Sequence, residues 1–164
     1  MRIQKKIFHH RKIILACILV AAFLLRFYAA LTIPVNWDEE EIFVSCERLS
    51  RLPEGFDINS IREDNDTGPL GNKMVVILGW SLFGKTLPGA RLPYVIAATG
   101  TILLTYLFVN VALGAPIALL SALLLAISQY DVGITRYVDN AFVNFFFMLS
   151  LYAFYKYLLQ NTKR

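Results

Sequence analysis

The sequence predicts an all-α membrane protein, a polytopic bundle of about four transmembrane helices with interfacial helices in its first outer loop. The chain of 164 residues is 57% hydrophobic and only 17% charged, which is too apolar for a soluble domain of this length. Its acids are clustered, because ten of the twelve Asp and Glu residues lie between Asp38 and Asp66. Since ionised carboxylates are costly in lipid, this segment must lie in water between membrane-embedded parts.

Charge is divided unevenly along the chain. Residues 34–72 carry a net charge of −7 and the rest of the chain carries +11. This division predicts two aqueous faces of different charge, and the absence of a basic stripe interleaved with aromatics predicts no nucleic-acid partner. Cys17 lies in an apolar stretch and Cys46 in the polar loop, so no disulfide is expected between them.

The first predicted span is Ile13 to Ile33, 21 residues interrupted only by Arg26, which is enough to cross a hydrocarbon core of about 30 Å. The segment 1–12 before it is rich in basic residues and predicts a cytoplasmic tail. A cleaved signal peptide is the alternative, but the run offers no clear small-x-small cleavage site. Arg26 is interpreted either as a side chain that snorkels to the outer interface, which is slightly favoured, or as a buried functional cation.

Three further spans are predicted from apolar stretches at residues 92–109, 113–129 and 141–159. The shorter stretch Pro69 to Phe83 fits an interfacial or re-entrant helix. A basic C-terminus predicts that both termini are cytoplasmic, in a plasma-membrane protein, so the number of crossings is even. Residues 1–164 then form a single module, in which the loop 34–87 and the segment 131–140 share the outer face with all the carboxylates.

The acidic run begins a predicted amphipathic helix on the membrane surface. Asn36 can cap this helix, Glu39 has the position of a capping-box acid, and the acids complement the helix dipole. Capping alone explains this spacing. Four consecutive carboxylates from Asp38 nevertheless exceed what a cap needs, and they suit a general base or a cation site.

A second set of candidate residues, Arg136 and Asp139, precedes the last span. Asp139 can be the N-cap of that helix, and Arg136 an interface anchor. In the functional interpretation, the guanidinium of Arg136 binds a lipid phosphate and Asp139 faces Asp38 across a cavity. No cofactor or metal site is predicted; a divalent cation is compatible with the acids but not required.

The order of short motifs along the chain resembles the N-terminal third of the GT-C membrane glycosyltransferases. It is most similar to the group of protein O-mannosyltransferases, lipid A aminoarabinose transferases and PMT_2-type enzymes. The matching motifs are Asp38-Glu39, Gly68-Pro69-Leu70, Leu82-Phe83-Gly84, Ala90-Arg91-Leu92-Pro93 and Arg136-Tyr137-x-Asp139.

The resemblance implies transfer of a sugar from a polyprenyl- or dolichyl-phosphate carrier to an acceptor on the outer membrane face. It implies catalytic roles for Asp38 and Asp139 and substrate-binding roles for Glu39 and Arg136. A carboxylate would accept the proton of the acceptor, and a cation would stabilise the departing phosphate.

Two departures from the family pattern keep other functions open. Thr67-Gly68 replaces the basic residue and the first proline of a Pro-Pro-Leu motif. Members of the family also continue for many further spans, so the chain is expected to be truncated, split or inactive, with a second polypeptide supplying the missing helices. The alternatives are a non-catalytic membrane scaffold or subunit, and a small transporter component. The transporter is disfavoured because the second and third spans lack a central charge.

Overall fold

The computed structural model describes residues 2–50, 70–134 and 140–161, and everything in these ranges except short connections is helical. The predicted all-α membrane bundle is therefore confirmed. The helices are α1 (Arg2–Thr32), α2 (Trp37–Ser50), α3 (Leu70–Phe83), α4 (Leu87–Ala112), α5 (Ala115–Ile127), α6 (Gln129–Ile134) and α7 (Asn140–Asn161).

Helix α4 is the centre of the bundle and contacts α1, α3, α5 and α7. Its buried Tyr94 lies edge-on to Phe142 of α7, with ring centroids 5.3 Å apart. Farther along, Gly100 brings α7 close, because a Cβ there would lie 2.7 Å from the ring of Phe145. The position of α7 is thus fixed by aromatic side chains packed on the small residues and the tyrosine of α4.

Helix α5 packs against α1 and α4 through a stripe of alanines. Ala118, Ala122 and Ala126 repeat every fourth residue and are all buried. Ala22 of α1 and Ile102 of α4 belong to the same apolar cluster. Small residues let helix backbones approach closely in a membrane, where the hydrophobic effect does not drive helix association.

Three helices among the described residues are long and apolar enough to cross a membrane: His10–Thr32 within α1, Leu87–Ala112, and Ala141–Asn161 within α7. The helix at the crossing expected for 113–129 is shorter than predicted, since α5 has only 13 residues and spans about 20 Å. It begins after Gly114, which has φ +91°, and ends at Ser128, whose backbone is extended (ψ 113°). The fourth apolar helix that the sequence predicts is therefore present as α5, but it is shorter than the other three.

The helices α2 and α3 form a pair beside the start of α4. Cys46 of α2 is completely buried, and its Sγ donates to the carbonyl oxygen of Lys73 at 3.6 Å. A turn at Gly84, where φ is +88°, leads to Thr86, whose side chain caps α4 by accepting from the Gly89 N–H at 3.2 Å. Cys17 and Cys46 are both free thiols, as expected from the sequence.

Candidate functional site

A buried ion pair joins Arg91 at the start of α4 to Glu39 at the start of α2. Arg91 Nη2 donates to Glu39 Oε2 at 2.6 Å, and Arg91 Nε donates to Glu39 Oε1 at 3.0 Å. The two residues are 0% and 1% exposed. This is a bidentate, charge-assisted contact, the strongest kind of hydrogen bond available to an arginine.

Arg91 also donates to three backbone carbonyls at the end of α1 and in the linker that follows it. Nη1 donates to Ala30 at 2.7 Å and Ile33 at 2.8 Å, and Nη2 donates to Pro34 at 3.4 Å. All five N–H donors of the guanidinium are therefore used. One side chain joins the C-terminus of α1, the linker and the N-terminus of α2 to α4.

The start of α2 is built locally by a capping box, as the sequence predicts. Asn36 Oδ1 accepts from the backbone N–H of Glu39 at 3.0 Å, and Glu39 Oε2 accepts from the backbone N–H of Asn36 at 3.4 Å. Asp38 is the second residue of this helix. Its backbone lies between the cap and the ion pair, so its place in the fold is fixed from both sides, while its side chain lies outside the described structure.

Glu39 was predicted to contact substrate, and the structure gives its carboxylate a protein partner. Both carboxylate oxygens accept from the buried guanidinium of Arg91. In the sequence, Arg91 stands out only as part of a short motif, and no role was predicted for it. The sequence did contain an indication of this role. Arg91 is the only charged residue in α4, and a single charge in a membrane-length helix is usually paired with an opposite charge or with backbone carbonyls.

The second buried ion pair joins Arg26 of α1 to Asp131 of α6. Arg26 Nη1 also donates to the carbonyls of Ala22 at 3.2 Å and Ala126 at 3.0 Å, and Nη2 donates to Leu125 at 3.0 Å. The snorkelling interpretation of Arg26 is wrong, because the residue is 1% exposed. The guanidinium stays inside the bundle because two carbonyls in the last turn of α5 and the carboxylate of Asp131 accept from it.

The remaining predicted residues, Arg136 and Asp139, lie outside the described residues. They belong to the segment 135–139, which connects α6 to α7. Part of the polar segment expected between Asp131 and Asn140 is helical, since α6 extends to Ile134.

A cleft of 270 Å³ lies between α2 and the turn from α3 to α4. Phe43 and Trp80 contribute aromatic rings to it, and Lys85 forms an exposed ion pair with Glu47 at 3.0 Å. Nowhere in residues 2–50, 70–134 and 140–161 do three His, Cys, Asp or Glu side chains come together as they would to hold a metal ion.

A helical membrane bundle with an acid-bearing helix directly after its first span is the architecture expected of the GT-C glycosyltransferases. Residues 67–164 match the PMT_2 family, described as dolichyl-phosphate-mannose-protein mannosyltransferase. This match covers more than half of the chain, and the chain belongs to that family, which makes it a GT-C type glycosyltransferase. No curated protein and no solved structure matches the chain.

The matched segment contains Arg91, Arg136 and Asp139, whereas Asp38 and Glu39 precede it. The ion pair between Arg91 and Glu39 therefore links the part of the chain that carries the family pattern to the acidic helix before it.

Proposed function

We propose that the protein transfers a hexose from a polyprenyl- or dolichyl-phosphate carrier to an acceptor at the outer membrane face. The description of the family supports mannose as the sugar and a protein hydroxyl as the acceptor. The observation that carries the proposal is the buried pair of Glu39 and Arg91, because it holds the start of the acidic helix against the family-matched helix α4. A bundle that fixes an acidic helix start in this way provides a rigid support for a catalytic carboxylate.

In the proposed reaction, the carboxylate of Asp38 accepts the proton of the acceptor hydroxyl while the hydroxyl oxygen attacks the anomeric carbon. The bond from that carbon to the carrier's phosphate oxygen breaks, and the phosphate leaves with the electron pair. The guanidinium of Arg136 stabilises the charge that develops on the phosphate. Asp139 supplies a second carboxylate that accepts hydrogen bonds from hydroxyl groups of the substrates. Glu39 serves substrate binding by keeping Asp38 in place, since Arg91 occupies its own carboxylate.

The proposal requires that the acidic helix and the segment 135–139 share the outer face. Single cysteines introduced at Glu63 and Asn140 are therefore both expected to react with a membrane-impermeant thiol reagent added from outside, in a background in which Cys17 is alanine and Cys46 is serine. The physical basis is the basic residues at both chain termini, which favour the cytoplasmic side. Labelling at Glu63 with protection at Asn140 would contradict the arrangement, because it would place the two segments on opposite sides.

Binding of the carrier tests the proposed function directly. Arg136→Ala is expected to weaken binding of polyprenyl phosphate by roughly tenfold to hundredfold, since a hydrogen bond to a charged group contributes about 1.5–3 kcal/mol. Arg136→Lys should weaken it less, because an ammonium keeps the charge but lacks the planar fork that matches phosphate oxygens. The measurement is titration of polyprenyl phosphate into the protein in nanodiscs.

The matched control for this titration is Arg48→Ala, which removes an exposed arginine from α2. It changes the net charge of the protein by the same amount as Arg136→Ala and should leave carrier affinity unchanged. Equal affinities for wild type and Arg136→Ala would show that Arg136 is an interface anchor and would overturn its proposed role.

A further inference from the structure

The cleft between α2 and the turn from α3 to α4 combines aromatic rings with charges of both signs. The rings of Phe43 and Trp80 have centroids 5.9 Å apart, and the ion pair of Glu47 with Lys85 lies in the same lining. The volume of 270 Å³ is just below the range of ordinary ligand sites, about 300–1,000 Å³. The cleft therefore has room for a small polar group and not for a large ligand.

The cleft lies at the level where the bundle leaves the membrane. The candidate span in α1 ends at Thr32, and Val35, which lines the cleft, follows it in the linker to α2. The candidate span in α4 begins at Leu87, which also lines the cleft. Arg91 joins these two helix ends through its hydrogen bonds to the last carbonyls of α1. The cleft is thus at the depth of the phospholipid headgroups.

The side chains of Trp80 and Lys85 are typical of this depth, because tryptophan and lysine have apolar bodies and polar tips. The indole N–H of Trp80 donates to the carbonyl of Thr86 at 3.2 Å, which fixes the ring. Lys85 Nζ lies 5.4 Å from the centre of that ring. The ring face is therefore already in use as a surface for an ammonium group.

The ion pair itself determines which headgroup fits. Lys85 Nζ lies 3.0 Å from Glu47 Oε1, and the two side chains are 50% and 42% exposed, so both have surface open to a ligand. An exposed pair of this kind contributes little to stability, and its partners can be exchanged at little cost. An anionic headgroup could pair with Lys85 only by taking the cation away from Glu47. A headgroup with both a phosphate and an ammonium can pair with both residues at once.

We propose that this cleft binds the headgroup of a membrane phospholipid with a primary ammonium beside its phosphate, as in phosphatidylethanolamine. The phosphate oxygens accept from Lys85 Nζ, and the ammonium donates to the carboxylate of Glu47 next to the Trp80 ring. The glycerol end of the lipid lies beside Val35 and Leu87, where the acyl chains enter the membrane along the spans. The inference goes beyond the proposed function, since none of these residues is assigned to the carrier or the acceptor.

The test compares phosphatidylethanolamine, phosphatidylcholine and phosphatidylglycerol, all with dioctanoyl chains, by native mass spectrometry of the protein in detergent. Because the acyl chains are identical, a difference in affinity reports the headgroup. Phosphatidylethanolamine is expected to bind about three- to tenfold more tightly than phosphatidylglycerol, which has no cation. Phosphatidylcholine should lie between them, because its trimethylammonium can approach the Trp80 ring but has no N–H to donate to Glu47.

The double variant Lys85→Gln/Glu47→Gln removes both charges and leaves the net charge of the protein unchanged. It should fold, since the pair is exposed, and it should bind the three lipids with equal affinity. Glu41→Gln/Arg48→Gln is the matched control, because it removes one charge of each sign from exposed positions of α2 outside the cleft. This control should keep the wild-type preference for phosphatidylethanolamine.

Equal affinities of the wild type for phosphatidylethanolamine and phosphatidylglycerol would overturn the proposal, and so would a preference that persists in the double variant. If the three lipids bound alike and a lysine-containing peptide bound the wild type but not the double variant, the cleft would be a polypeptide site and the lipid proposal would be wrong. Neither sugar transfer nor carrier binding enters these measurements, so their outcome is independent of the proposed function.

Discussion

Asp38→Asn is expected to lower the rate of sugar transfer by about 10²- to 10⁴-fold, the usual contribution of a general base. The protein should still fold and insert, because Asn36 caps α2 and Glu39 completes the capping box without help from Asp38. The change removes only the interaction of one charge with the helix dipole, about 0.3–1 kcal/mol. The measurement is transfer of radiolabelled mannose from a polyprenyl-phosphate donor, in membranes that contain the active assembly.

Glu40→Gln is the matched control for Asp38→Asn. It neutralises an exposed carboxylate two residues later in the same helix, and transfer should stay at the wild-type level. If Asp38→Asn transferred sugar as fast as this control, the acid would be a helix-terminal charge and the base would have to be sought elsewhere.

Loss of Arg91 should be the most destabilising single change in the described structure. Arg91→Leu leaves the carboxylate of Glu39 buried without a cation and removes a donor from three carbonyls. Removing one partner of a buried ion pair costs about 3–5 kcal/mol, which corresponds to a Tm lower by roughly 6–20 °C for a chain of this size. Thermal unfolding in detergent, followed by circular dichroism, measures the shift.

Lys85→Gln provides the comparison for Arg91→Leu, because its ion pair with Glu47 has a similar distance, 3.0 Å, but about half of each side chain is exposed. Such a pair contributes at most about 1 kcal/mol. If Arg91→Leu and Lys85→Gln gave equal Tm values, the buried pair would not be what holds α2 to α4. Glu39→Gln should lie between them, since it removes the charge but keeps an oxygen that accepts from Arg91.

Much of the fold could be predicted from local sequence patterns. The apolar stretches predicted the membrane-length parts of α1, α4 and α7 to within about five residues, because a membrane-crossing helix needs a long continuous apolar run. The cap at Asn36 was also predictable, since a capping box involves residues only three positions apart. The early end of α5, at Ile127 and not at 129, was not predictable, because Ser128 is compatible with a helix and only its backbone conformation ends α5.

The candidate site could be predicted in part. The acids at 38–41 and the pair Arg136 and Asp139 were predicted from their charge and their place beside apolar helices, and their roles stay predictions. The partners of Arg26 and Arg91 were not found, since they lie 105 and 52 residues away in the chain. A pattern along the sequence reports neighbours within a few turns and carries no information about which distant residues meet.

By itself, the sequence determined that this is a helical membrane protein with a polar acidic segment, and its motifs indicated the glycosyltransferase family. These properties follow from the composition and from the local order of residues in the sequence, which do not depend on how the helices pack. Only the tertiary structure decided that Glu39 is held by Arg91 and that Arg26 is buried with Asp131 rather than extended to the interface. The physical reason is that a buried charge is tolerated only where several acceptors converge on it. In this protein the end of α1 packs against α4, α5 and α6, and Arg91 of α4 also meets Glu39 at the start of α2, so those acceptors come together.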